Sequence, residues 1–221
     1  MIFAKASAII FTMKLYYCSI SEFHTLEGEE LLLPGRRARL ARYRSRQDQT
    51  RCLVSGLLLR FALGGDYGDL LAFGAHGKPY LTDASRFFNL SHSGDYVVLA
   101  VSEANCGVDL EQTASRYPEA AARRCLTDGE RLWLEQQGNP EAFYKLWTGK
   151  EAFLKAVGTG LSLPMEQISL LPVQDGPHLL NGTRWHFCWR SLPGHILCAV
   201  SRIPEPAELI PLDRSALLRR V

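Results

Sequence analysis

The chain of 221 residues has no CxxC pair and no histidine at zinc-ligand spacing, although it carries six cysteines, at 18, 52, 106, 125, 188 and 198. That scatter argues against a zinc site and a compact disulfide framework, and it fits the reduced thiols of a cytoplasmic protein. There is no apolar run long enough to span a bilayer, so no membrane anchor is expected. Net charge is small, +2, which excludes bulk attraction to nucleic acid. No G-x-S-x-G elbow is present, which speaks against a serine hydrolase. The opening residues, 1–12, hold a single charge, Lys5, and a short broken apolar run, too weak for a signal peptide. They are expected to be an extension ahead of a second start at Met13.

What is present is the composition of a soluble globular protein, 47% hydrophobic and 22% charged. The length allows one large domain or two of about 110 residues, and either can bury a core. The charge is unevenly spread: Arg36, Arg37, Arg39, Arg42, Arg44, Arg46 and Arg51 are opposed within their segment only by Asp48. Such a run is either a solvated helix face or a patch for an acidic partner or a phosphate, and 36, 39 and 42 share one face.

The densest chemistry lies in Trp147-Thr148-Gly149-Lys150-Glu151-Ala152-Phe153-Leu154-Lys155. Asn139 followed by Pro140 predicts a helix start, and Gly158-Thr159-Gly160 a stop, giving a helix over 140–157. At about 100° per residue, Phe143, Leu146, Trp147, Phe153, Leu154 and Val157 form one apolar stripe with Lys150 in its middle. An ammonium without a partner is costly to bury, so Lys150 is expected to meet an anion. Glu151 and Lys155 lie four apart on the stripe's border. They make either an ordinary surface pair or, with Lys150, a place where a metal ion and a polyphosphate meet.

A first strand is expected at Lys14-Leu15-Tyr16-Tyr17, then a helical region from Pro34 that closes with the apolar stretch 52–63 and Gly64-Gly65. Gly77-Lys78-Pro79 is a turn, and Arg86 to Gly94 reads as a strand running into a loop with Ser91, His92 and Ser93 at its mouth. Adjacent Ser and His point to opposite faces of an extended segment, so His92 suits a phosphate donor better than the partner of a serine nucleophile. A buried strand follows at Tyr96–Ser102. In Gly107-Val108-Asp109-Leu110-Glu111, alternation sends Val108 and Leu110 to the core and sets Asp109 and Glu111 together on the other face. Two such carboxylates need either water or a divalent cation; with Glu151 they would supply three oxygen ligands suited to Mg²⁺. A helix broken at Thr127-Asp-Gly-Glu130 covers 116–136, and a hairpin turning at Pro193-Gly194 joins 183–190 to 195–201. Val98-Leu-Ala-Val-Ser102 is echoed by Leu197-Cys-Ala-Val-Ser201, which hints at two similar α+β lobes, 13–103 and 104–221, with the ligand cleft between them.

Four of these stretches together resemble the surfactin-type 4'-phosphopantetheinyl transferases: 77–79, 88–93, 107–111, and 147–155 continuing through 164, in the family's order over about 14–200. The resemblance implies a monomeric pseudo-dimer of two α+β lobes holding coenzyme A and Mg²⁺ in the cleft. It implies transfer of phosphopantetheine to a serine of an apo acyl or peptidyl carrier protein, with release of adenosine 3',5'-bisphosphate. By position it assigns Asp109, Glu111 and Glu151 to the metal and His92 to a phosphate, with Lys78, Pro79 and Ser91 in the motifs that surround coenzyme A. Lys150 and Lys155 match lysines near the pyrophosphate, and Arg36 and Arg39 fall where the family has basic residues near the adenosine phosphate. Glu151 and Lys155 are the expected catalytic groups, Glu151 as base directly or through a metal-bound water, and Glu130 stands where some members carry a further acidic residue. The alternative is a non-catalytic coenzyme A or carrier-binding module of the same fold. Loss of a metal carboxylate or of Lys155 would mark it, and none is lost.

Overall fold

The computed structural model describes residues 11–160 and 163–219. The expected extension at 1–12 falls outside the described residues apart from its last two, as do Leu161 and Ser162 of the motif that follows the long helix.

The first lobe is built from β1 (Met13–Ser19), α1 (Pro34–Leu40), α2 (Arg46–Leu63), a small hairpin of β2 (Leu71–Phe73) and β3 (Pro79–Leu81), then β4 (Phe87–Ser93) and β5 (Tyr96–Ser102). The second runs through β6 (Cys106–Gln112), α3 (Glu119–Cys125), α4 (Asp128–Gln137), α5 (Pro140–Val157), β7 (Gly176–Leu180), β8 (Thr183–Leu192) and β9 (His195–Ser201). Each lobe lays a strand, a long helix and a hairpin in the same order, and in each the first strand pairs with the last strand of the hairpin, β1 with β5 and β6 with β9. The echoed sequences are these equivalent inner strands.

Alternation along the inner strands fixes the layering. In β5, Val97, Leu99 and Val101 face a core under α2, whereas Val98 and Ala100 face the other lobe. In β9, Ile196, Cys198 and Val200 pack under α5, whereas Leu197 and Ala199 meet the first sheet. The molecule is therefore helix, sheet, sheet, helix, with a third core of Leu15, Val98, Val108 and Leu197 sealing the lobes together.

The closing residues do not stay with the second lobe. β10 (Ala207–Pro211) pairs in parallel with β1, and Leu217 of α6 (Arg214–Leu218) enters the core under α2. This strand covers the edge that β1 would otherwise expose, as β7 covers β8.

Three local expectations change. The arginine-rich helix breaks after Leu40 and restarts at Arg46, capped by the Ser45 side chain, so Arg42 leaves the row that Arg36 and Arg39 begin. β4 runs on through Ser93, so Ser91, His92 and Ser93 belong to a strand rather than to a loop. Within 116–136 the expected break at Thr127 is a full end: α3 stops at Cys125 and Thr127 caps a new start, its hydroxyl accepting from Glu130 N while Glu130 returns a carboxylate oxygen to Thr127 N.

Candidate active site

α5 covers Pro140–Val157 as its caps foretell: the Asn139 side chain accepts from Glu141 N at 2.9 Å and Gly158 leaves in the left-handed region at φ 78°. The helix lies directly on β6. A Cβ on Gly107 would sit 2.0 Å from Ala152 O, so only glycine lets the two backbones approach this closely. That contact brings Glu151 and Lys155 of α5 beside Asp109 and Glu111 of β6, and all four line one cleft of about 500 Å³ with Arg36, Arg39 and His92. Pro79 lines the same cleft and a smaller one of about 250 Å³ that adjoins it past Glu151 and Lys155.

β4 and β6 are the facing edges of the two sheets, and they are joined by side chains rather than backbone pairing. Asn89, Ser91 and Ser93, two apart on β4, accept from the N–H groups of Val108, Leu110 and Gln112, two apart on β6. The same hydroxyls hold the carboxylates: Ser91 donates to Asp109 Oδ1 at 3.0 Å and Ser93 to Glu111 Oε2 at 3.1 Å. Trp147 Nε1 donates to Glu111 Oε1 at 3.2 Å. Asn89, Ser93 and Trp147 escape a site reading of the sequence. The signal that could have found them is the i, i+2, i+4 spacing of short polar side chains on a strand about to meet an edge.

Lys155 Nζ donates to Asp109 Oδ1 at 2.6 Å and to Ser91 Oγ at 3.0 Å, while Asp109 Oδ2 is buried with no partner. Burial pushes the Asp109 carboxyl up against the pull of Lys155. Glu111 and Glu151 are likewise raised, first by burial and then by the Asp109 charge. Three oxygen donors that repel one another suit a hard divalent cation. As the side chains stand, no group of three such residues among the described ones is close enough to hold a metal, and the Lys155 ammonium neutralises Asp109 instead. His92 opens onto the cleft with its imidazole lowered by the surrounding protein and by the charges of Arg51 and Lys155. Arg51 is itself committed, donating twice to Gly94 O in the β4–β5 turn and once to Asp48.

Two expected site lysines are occupied elsewhere. Lys150 is fully buried in the second lobe, donating to Glu130 Oε2 at 2.5 Å, Cys125 O at 2.7 Å and Met165 O at 2.9 Å. Its anion is a carboxylate of this chain and not a phosphate. Glu130, also buried, further accepts from Thr127 N and Leu170 N, so it faces no substrate. Lys78 spends its three N–H bonds on Asn105 Oδ1, Cys106 O and Ala156 O and has none left for a phosphate. Val157, expected in the apolar stripe, is at the surface as the last residue of the helix.

Residues 105–203 match the family model of the 4'-phosphopantetheinyl transferase superfamily, and residues 21–104 match the model described as 4'-phosphopantetheinyl transferase, N-terminal. A Bacillus subtilis protein named 4'-phosphopantetheinyl transferase ffp is 32% identical over 199 residues, 83% of this chain and 88% of its own. The chain belongs to the 4'-phosphopantetheinyl transferase family. The 4'-phosphopantetheinyl transferase Sfp of Bacillus subtilis (strain 168) is 32% identical over 151 residues, 65% of this chain and 67% of its own. A putative 4'-phosphopantetheinyl transferase of Synechocystis is 36% identical over 153 residues, 63% of this chain and 62% of its own. These two matches span about two thirds of each relative's length. The family is one of transferases, and its two models fall one on each lobe of the α+β fold, 21–104 on the first and 105–203 on the second.

Proposed function

We propose that the chain transfers the 4'-phosphopantetheine of coenzyme A to the serine of an apo acyl or peptidyl carrier protein, as a holo-[acyl-carrier-protein] synthase. The observation that carries this reading is one cleft lined on its first-lobe side by Arg36, Arg39 and His92 and on its second-lobe side by Asp109, Glu111, Glu151 and Lys155. A basic wall suits the adenosine phosphates, and an acidic wall suits Mg²⁺. Asp109, Glu111 and Glu151 would hold that ion after Lys155 releases Asp109 to meet the pyrophosphate. Bound there, Mg²⁺ neutralises phosphate charge.

In the reaction the serine Oγ–P bond forms at the phosphorus bearing pantetheine while the bridging P–O bond breaks. Adenosine 3',5'-bisphosphate leaves with the electron pair. Lys155 stabilises the charge on the leaving oxygen, and Glu151, raised by burial, takes the serine proton. Asn89, Ser91 and Ser93 keep the two walls in register.

The arginines between 36 and 51 extend beyond the cleft and suit the acidic surface of a carrier; added salt should then raise the Michaelis constant for carrier. Action as a cytoplasmic monomer completes the reading. The six cysteines are all unpaired, which suits a reducing compartment, and no helix among the described residues is long and apolar enough to cross a membrane.

Incubation with coenzyme A, Mg²⁺ and a panel of apo carriers, followed by intact mass, tests the proposal. A gain of one phosphopantetheine on a carrier serine is expected. Coenzyme A binding with no gain on any carrier would favour the binding-module alternative.

A further inference from the structure

Lys78 sits in the tight turn of the β2–β3 hairpin, where Gly74 N bonds Lys78 O at 2.9 Å, yet its ammonium leaves the first lobe altogether. It ends at the crossing of β6 and α5, the two elements that carry the acidic wall. There it meets Asn105 Oδ1 at 2.9 Å just before β6, Cys106 O at 3.0 Å on its first residue, and Ala156 O at 2.9 Å in the last turn of α5. The acceptors match the donor chemistry. Ala156 O is one of the carbonyls a helix end leaves without an internal partner, and the negative end of α5 favours a cation. Three acceptors around one ammonium offset part of its desolvation, although burial still holds the Lys78 amine below the usual lysine range.

The two sides of this contact are unequal. β6 is held by β9 along its length, and α5 is buried in the second core. The hairpin is two strands of three residues forming a sheet of their own, and such a pair is marginal in water without support. Leu81 anchors the base of the hairpin in the core under α2, so loss of the contact loosens the turn and the strands beside it and leaves β6 and α5 in place. The hairpin matters to the cleft because it contributes Phe73, Gly77 and Pro79 to the wall beside Arg36 and Arg39.

We propose that Lys78 is a positioning residue: a hook that fixes the β2–β3 hairpin to the second lobe and so builds the coenzyme A side of the cleft without touching the ligand. The assignment to coenzyme A rests on the transferase reading; the hook itself does not.

Two variants and two readouts test it. Lys78→Met removes the ammonium. Asn105→Ala removes one acceptor, adds or deletes no charge, and alters no residue lining the cleft. Hydrogen exchange of the free protein should show the amides of 71–81 exchanging at least tenfold faster in Lys78→Met, with a smaller increase of the same sign in Asn105→Ala and no change in α5. In transfer assays the Michaelis constant for coenzyme A should rise about tenfold in Lys78→Met and severalfold in Asn105→Ala, with kcat within threefold of wild type. If Lys78 bound phosphate directly, Asn105→Ala would free it and leave that constant unchanged or lower, which overturns the proposal. Unchanged hairpin exchange in both variants also overturns it, and should Lys78→Met not fold, Asn105→Ala decides alone. Absence of any transfer by the wild type would count against the transferase reading, and the hook is then judged on exchange.

Discussion

At the scale of single residues, the acidic wall is held in a state the free protein does not favour. Glu111 and Glu151 have raised pKa values, so their charged forms cost stability at neutral pH. The sign follows: the folded state holds these protons more tightly than the unfolded chain, so the cost fades as pH falls towards the ordinary carboxylate range. Glu151→Gln is therefore expected to raise the melting temperature of the free protein at pH 7 while abolishing transfer; normal transfer by this variant would remove Glu151 from its role as base. Mg²⁺ should raise the melting temperature of the wild type and leave that of Glu151→Gln nearly unmoved. On the basic wall, His92 is lowered below its usual range in the free protein, and a bound phosphate would raise it again. Binding then takes up a proton between those two values, so coenzyme A affinity should strengthen as pH falls through this window and flatten below it. Calorimetry across pH checks this, with His92→Ala expected to remove the dependence. Arg36→Ala or Arg39→Ala should weaken coenzyme A binding about tenfold or more, the loss of one charge-assisted contact of about 1.5–3 kcal/mol.

At the scale of elements, the buried pair Lys150–Glu130 ties α4 to α5. The position of Lys150 inside an apolar face is visible at the sequence level and demands an anion; which anion is not, because Glu130 comes from a helix start 20 residues earlier. The pair also gathers Thr127, Leu170, Cys125 and Met165 around α5. Removing either partner should cost about 3–5 kcal/mol in urea denaturation. A double apolar replacement should not recover it, since the N–H groups of Thr127 and Leu170 would be left unpaired. α5 itself is legible to the residue, because its caps are local and chemical. The continuation of β4 through Ser93 is not, since Ser, His and Ser look like loop residues until the edge of β6 supplies partners for their side chains. Lys78 is hidden for the same reason: its partners lie 27, 28 and 78 residues further along the chain.

At the scale of the molecule, the two lobes repeat one topology and divide one task, with the basic wall from the first and the carboxylates from the second. The repeat of topology, though not the sharing of charge between the lobes, is legible in the echoed strands. The return of β10 and α6 to the first lobe is not, since a parallel pairing across some 190 residues leaves no local signal. We propose that these walls act together through a divalent cation on coenzyme A. The most direct measurement is intact mass of an accepted carrier after incubation with coenzyme A, comparing wild type, wild type with chelator, and Asp109→Ala. The phosphopantetheine gain is expected in the first and its loss in the other two, with restoration when Mg²⁺ is returned to the chelated wild type. Undiminished transfer in chelator or by Asp109→Ala would contradict it.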